Sequence, residues 1–169
     1  KPGKLTVNEF EAMKQHTLIG ATIIGDAEWF KQSHQIALSH HERWDGKGYP
    51  NRLVGKDIPF SSRIISVADA YGAMLKVKPY RDSMIGYKAM REILNDNSTR
   101  FDSDILKVFI KSMGIYPIGS LVILNDSSIA RVKRVHNEAP LRPMVQILMS
   151  PAGRILKGDS EKSIDLLSE

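Results

Sequence analysis

His40-His41-Glu42-Arg43-Trp44-Asp45-Gly46-Lys47-Gly48-Tyr49-Pro50 places two adjacent imidazoles at the end of an apolar helical segment and follows them with two glycines and a proline. Helices end at such punctuation, so the run is a helix terminus followed by a loop. Glycine lets backbone amides approach an anion closely, and Pro50 biases Tyr49 toward an extended conformation that projects its ring. A Gly-x-Gly alone is also the mark of a plain surface turn. The run therefore fixes a landmark, and its neighbours must say what surrounds it.

Upstream, Thr6-Val7-Asn8-Glu9 carries the Thr-x-x-Glu pattern of a capping box. Phe10, Met13, Thr17, Ile19-Gly20 and Ile23-Ile24 follow at helical spacing, predicting a helix from about Val7 to Ile24. Gly25-Asp26 breaks it. A second helix is expected over Ala27 to His40, packing through Trp29, Phe30, Ile36, Ala37 and Leu38.

Downstream, Pro59 suits the first position of a third helix reaching about Leu75, stopped by Lys78-Pro79-Tyr80-Arg81. A fourth is expected near Met84 to Leu94. A fifth runs from Asp102 to Met113, with Gly114 as its cap. After Gly114 the period changes: Leu121 to Leu124, Ile129 to Val135, Met144 to Met149 and Arg154 to Leu156 read as short strands separated by turn residues. The expectation is a mainly α chain with a helical domain over 1–115, followed by a small antiparallel β module over 116–169.

Composition limits the function classes. Of 169 residues 42% are apolar and 25% charged, as in an ordinary globular chain, and none is Cys. Disulfides, thiolate nucleophiles and Cys-built metal sites are therefore excluded. No apolar run approaches the roughly 20 residues of a spanning helix. The chain begins at Lys1 without an initiator Met or a signal-like segment, which points to a piece of a longer polypeptide. A net charge of +5 permits phosphate-bearing partners. The tightest basic cluster, Arg131-Val132-Lys133-Arg134, reads as a solvated face.

His16, His40, His41 and Asp69 form the chemical constellation. An isolated His16 on a helix face beside Met13 and Ile19 reads as a core histidine bonded to a carbonyl. Asp69 has Ile65, Ser66, Gly72 and Ala73 around it on its helix, a face expected to be buried and without a countercharge. A carboxylate there needs a cation from another segment or a metal ion. His40 and His41, about 100° apart on a helix, would serve neighbouring ions more naturally than one. Imidazole and carboxylate donors without thiolate suit iron, manganese or zinc. Lys78-Pro79-Tyr80-Arg81 brackets a stiff step with two cations, a phosphate holder or a helix-ending turn. His34 and His136 have no such context and read as structural or surface residues.

Taken together, Lys1-Pro2-Gly3-Lys4-Leu5-Thr6, Met13-Lys14-x-His16-Thr17-x-Ile19-Gly20, the His40 to Pro50 run, Ile58-Pro59, Arg63-Ile64, Ala68-Asp69 and Lys78-Pro79-Tyr80-Arg81 resemble the HD-GYP family, in order and over about residues 1 to 112. The resemblance implies a helical HD-type bundle and a metal-dependent phosphodiesterase of bacterial signalling. Such enzymes hydrolyse cyclic di-GMP to pGpG, in some members on to GMP, with two or three iron or manganese ions. By position, His16, His40, His41 and Asp69 match metal ligands. Tyr49, Lys78 and Arg81 match positions near the nucleotide phosphates and bases, and Gly46 and Gly48 shape the loop. The family's His-Asp pair, which supplies a metal-bridging carboxylate, is expected upstream of Lys1.

This sequence departs from the family pattern in three places. Gly72 stands where the family usually has Asp, Lys78 where Arg is usual, and Arg52 where Gly is common. Gly72 and Lys78 favour a second reading, a module that binds cyclic di-GMP or a signalling partner without turnover. Other expected partners are signalling proteins at the Gly-Tyr-Pro loop and a second copy of the chain, with the β module as a packing cap, dimer contact or partner surface. Neither nucleic acid nor membrane is expected, and the resemblance implies a bacterial cytoplasmic setting.

Overall fold

The computed structural model describes residues 3–76, 85–96, 99–156 and 162–168. Five α-helices precede a four-stranded sheet. Two compact units emerge: Lys1–Met84 with Glu92–Leu106, and Ile85–Arg91 with Lys107–Glu169.

In the first unit, α1 spans Val7–Ile24 and starts at the expected capping box. The Glu9 carboxylate accepts from the Thr6 amide at 2.8 Å, and the Glu9 amide donates to the Thr6 hydroxyl at 3.4 Å. Gly25, at φ 76°, ends the helix and donates to the Ala21 carbonyl. The second helix differs from expectation. A 3-10 turn over Glu28–Phe30 precedes α2, Lys31–Ser39, and His40 is its C-cap. The tighter turn rotates Trp29 away from the packing side, leaving it 81% exposed and Phe30 half exposed, so neither is a core residue. Ile36, Ala37 and Leu38 are partly buried instead.

Helix α3, Phe60–Leu75, follows Pro59 as N-cap, one residue outside the expected first position. It buries Val67, Ala70 and Tyr71, and the Ser62 hydroxyl donates to the Gln35 carbonyl of α2 at 3.1 Å. Residues 97–98 lie outside the described set. Beyond them, Phe101 is buried and Asp102 bonds Arg63 of α3 at 2.7 Å.

Helices α4, Gly86–Asn95, and α5, Ser103–Met113, contribute to both units. In the second, Ala89 and Met90 are fully buried, and Tyr87 stacks on Tyr116 with centroids 5.0 Å apart. Strands β1 (Leu121–Ile123), β2 (Ile129–Arg134), β3 (Met144–Met149) and β4 (Ser163–Asp165) form an antiparallel meander in the order β1-β2-β3-β4. Alternation sends Ala130, Val132, Val145 and Ile147 to one face, where Val122, Leu156 and Ile164 pack on them. Each Val or Ile side chain buried this way contributes roughly 1.5–3 kcal/mol.

The expected fourth strand at Arg154 to Leu156 is only an isolated bridge, Met149↔Ile155. Ser163–Asp165 takes that place, pairing Val145 with Ile164. Three residues with one apolar member carry no readable alternation. Among the described residues no helix is long and apolar enough to cross a membrane.

Candidate metal centre

Two elements of the first unit, α1 and the end of α2, bring His16, His40 and His41 together. His16 lies on the exposed side of α1, and His40 and His41 leave the end of α2. One ligand nitrogen from each lies within 4.8 Å of the others. The ring centroids of His16 and His41 are 5.0 Å apart, and those of His40 and His41 4.1 Å. His40, the C-cap of α2, keeps a helical φ/ψ of −68°/−12°, and its ring and that of His41 both lie against the His16 ring of α1.

The tautomers follow from their partners. Nδ1 of His16 lies 2.6 Å from the Met13 carbonyl, and Nδ1 of His40 lies 3.0 Å from the carbonyls of Ile36 and Ala37. A carbonyl only accepts, so Nδ1 carries the proton in each ring. Nε2 of His16 and Nε2 of His40 then point unprotonated lone pairs at each other across 3.4 Å. Two such acceptors repel unless a cation or a proton lies between them. Two imidazole nitrogens about 2.1 Å from a shared metal at a tetrahedral angle would be about 3.4 Å apart. The donor set therefore fits a divalent ion. His16 is not the buried, carbonyl-bonded core histidine suggested by its helix face. It makes the carbonyl bond, but its ring is exposed. His41 is pushed down to about 4, first by burial and then by its neighbour His40, with Asp69 opposing. A neutral imidazole is the ligating form.

Asp69 departs from expectation in burial: it is exposed, on an α3 face that opens into a cavity of about 870 Å³. Solvent, rather than a buried countercharge, accommodates its carboxylate. The cavity walls also include His40, His41, Tyr49, Ser66 and Lys14. Ser66 and Asp69, three residues apart, share one helical face.

The glycine loop shapes another wall. Gly48 is buried, and a Cβ there would lie 2.5 Å from the Glu42 Cα and press on the Arg43 amide. Only glycine lets the strand fold back this closely, and the result is Tyr49 over His41, ring centroids 4.9 Å apart. Gly46 adopts φ 74° with its Cβ direction blocked by Val54. The Tyr49–Pro50 peptide is cis. Burial, then Asp69, pushes the Tyr49 phenol up to about 12.

Three of the loop's amides are engaged within the loop itself. The Gly46 amide donates to the Arg43 carbonyl, the Lys47 amide to Asp45, and the Tyr49 amide to the His41 carbonyl. The glycines are there for close packing. Lys78 and Arg81 lie outside the described residues. His34 bonds the Gly25 carbonyl, and His136, in the second unit, bonds Asp165.

Two features escaped the sequence reading. Glu42 is buried at 3% exposure, and its two oxygens accept from the Asn51 and Leu53 amides at 2.6 and 3.1 Å, pinning the far side of the loop. Arg100 enters the cavity wall from the segment before α5. A Glu inside a glycine-rich turn hints at the first; nothing in the local pattern marks the second.

The sequence matches the HD domain profile over residues 1–105 and that of a KOW domain associated with HD domain over residues 121–169. It is 42% identical over 113 residues to a cyclic di-GMP phosphodiesterase of Thermotoga maritima, covering 66% of this chain and 31% of that protein. It is 33% identical over 156 residues to one of Pseudomonas aeruginosa, covering 92% and 37% respectively. A 3'3'-cGAMP-specific phosphodiesterase of Vibrio cholerae is 34% identical over 113 residues, 66% of this chain and 22% of its own length. The chain thus spans roughly a third or less of these curated relatives.

Proposed function

Because the chain belongs to the HD domain family, in its HD-GYP branch, we propose that it is the metal-binding part of a phosphodiesterase that hydrolyses cyclic di-GMP to pGpG or GMP. The observation that carries this reading is the facing Nε2 lone pairs of His16 and His40 beside a cavity of about 870 Å³. A divalent ion held there would supply Lewis acidity toward a phosphoryl oxygen. His16, His40 and His41 are its proposed ligands and Asp69 the accompanying carboxylate. We assign iron or manganese, two or three ions in the assembled site.

Tyr49 offers an aromatic face for a base, held by the Gly46–Gly48 loop, and Lys78 and Arg81 are proposed to meet the phosphates. Residues 1–115 serve as the catalytic module and 116–169 as its appended β module. A second copy of the chain and signalling proteins at the loop are the proposed partners, and the cytoplasm the proposed location.

Incubating the full-length protein with cyclic di-GMP and Mn(II) or Fe(II) under reducing conditions tests the activity. Release of pGpG or GMP is expected; its absence rejects hydrolysis. 3'3'-cGAMP is assayed in parallel, since a relative is named for it.

Binding without turnover is the second reading, favoured by Gly72. It lies one α3 turn from Asp69 with nothing within 4 Å of its Cβ direction, where the family usually has Asp. Tight nucleotide binding with no product would select it.

A further inference from the structure

The main chain of Arg100 belongs to the scaffold. The Trp44 amide donates to the Arg100 carbonyl and the Asp45 amide to the Thr99 carbonyl, both at 3.0 Å. Phe101 and Asp102, which follow, are buried, and Arg63 holds Asp102. The segment is thus tied to the same Trp44-Asp45 stretch that leads into the glycine loop. The side chain has no part in that anchoring and lines the cavity with His40, His41, Tyr49 and Asp69. Its positive charge reaches both His41 and Tyr49, opposing that of Asp69.

What holds the guanidinium now is weak. Asp96 stands 3.7 Å away, both partners more than a third exposed, and the Phe101 ring centroid lies at 5.2 Å. An exposed ion pair of this kind yields easily to a better anion. Arg43, another guanidinium on the wall, is more firmly engaged: it makes two bonds to Asp45, at 2.8 and 3.0 Å. A guanidinium fork matches phosphate geometry with two parallel hydrogen bonds, which an ammonium cannot do.

We infer that Arg100 is a phosphate subsite: its guanidinium exchanges Asp96 for one phosphodiester of a cyclic dinucleotide lying in the cavity beside the imidazole cluster. The inference rests on the nucleotide reading above. It assigns Arg100 to substrate positioning and leaves the chemistry to the metal ligands.

The test measures the Kd of a hydrolysis-resistant phosphorothioate analogue of cyclic di-GMP on Mn(II)-loaded full-length protein, for wild type, Arg100→Gln and Arg100→Lys, across a range of salt. Arg100→Gln is expected to weaken binding about 10- to 100-fold and to flatten its dependence on ionic strength, with thermal stability unchanged. Arg100→Lys keeps the charge and falls between. An Arg100→Gln Kd within twofold of wild type overturns the inference. So does an equal loss in both variants with lowered thermal stability and an unchanged salt dependence, the signature of a structural role. Failure of wild type itself to bind would sink the nucleotide reading, an outcome distinct from either.

Discussion

Nε2 of His16 and Nε2 of His40 face each other at 3.4 Å while each ring's Nδ1 proton is held by a backbone carbonyl. Helix α1 and the end of α2 thereby present two acceptors to one point, and His41 adds a third. A cation binding the folded state and not the unfolded one stabilises it by mass action, about 2.7 kcal/mol at a hundred times its Kd. Adding Mn(II) to metal-stripped protein is expected to raise the unfolding temperature by several degrees. His16→Ala and His40→Ala should abolish that rise. His34→Ala, whose ring bonds the Gly25 carbonyl elsewhere, should retain it. Thermal denaturation with and without metal decides, and equal shifts in all variants would remove the centre from this cluster.

Two glycines should respond in opposite ways to the same added methyl. At Gly48 a Cβ meets the Glu42 backbone, so Gly48→Ala must push apart two main-chain segments and lift Tyr49 off His41. A loss of about 1–3 kcal/mol is expected, with weaker nucleotide binding. At Gly72 the Cβ enters open space inside α3. Gly72→Ala should gain about 0.5–1 kcal/mol through helix propensity. Urea unfolding of the two variants checks the sign of each.

The sequence was most legible where a signal is local. The Thr6 capping box and the Gly25 stop bounded α1, and Gly114 at φ 72° closed α5. Legibility failed where tertiary geometry decides. Trp29 is apolar, but a 3-10 turn sends it to solvent. Ser163–Asp165 becomes a strand only because β3 offers it an edge. At the site, residue types were readable and directions were not. The helical wheel buried Asp69, whereas that face of α3 opens into a cavity. Arg52 shows the reverse case: its φ of 56° explains why Gly is common at that position.

Asp102 should make stability depend on acid. Burial pushes its carboxyl up, but hydrogen bonds from Arg63 and from the Asp104 and Ile105 amides outweigh burial and hold it below its ordinary value. A carboxyl depressed in the folded state contributes stability above its unfolded pKa of about 3.9, and loses it as pH falls toward the folded value. Asp102→Asn leaves the Arg63 guanidinium uncompensated and should cost about 3 kcal/mol near neutral pH. That gap should narrow below about pH 4. Depressed carboxyls elsewhere, such as Asp45, are common to both proteins and cancel in the difference. Urea midpoints of wild type and variant from pH 3 to 7 supply the measurement, and a gap that ignores pH would refute the assignment.

Glu42 is the residue on which the loop's shape turns. One oxygen accepts from the Asn51 amide and the other from the Leu53 amide, at 3% exposure, so both ends of the carboxylate are occupied by donors. In Glu42→Gln one end becomes an NH2 group facing an N–H, which loses a charge-assisted bond and leaves a buried donor without an acceptor. A cost of about 2–3 kcal/mol follows. Because the pinned segment lies just past Tyr49 and Pro50, nucleotide affinity should fall with it. Glu11→Gln provides the contrast: its pair with Lys14 has a carboxylate 61% exposed, and its loss should cost under about 0.5 kcal/mol. If chemical denaturation finds the two substitutions equally mild, the loop is held by its glycine packing alone and Glu42 is dispensable.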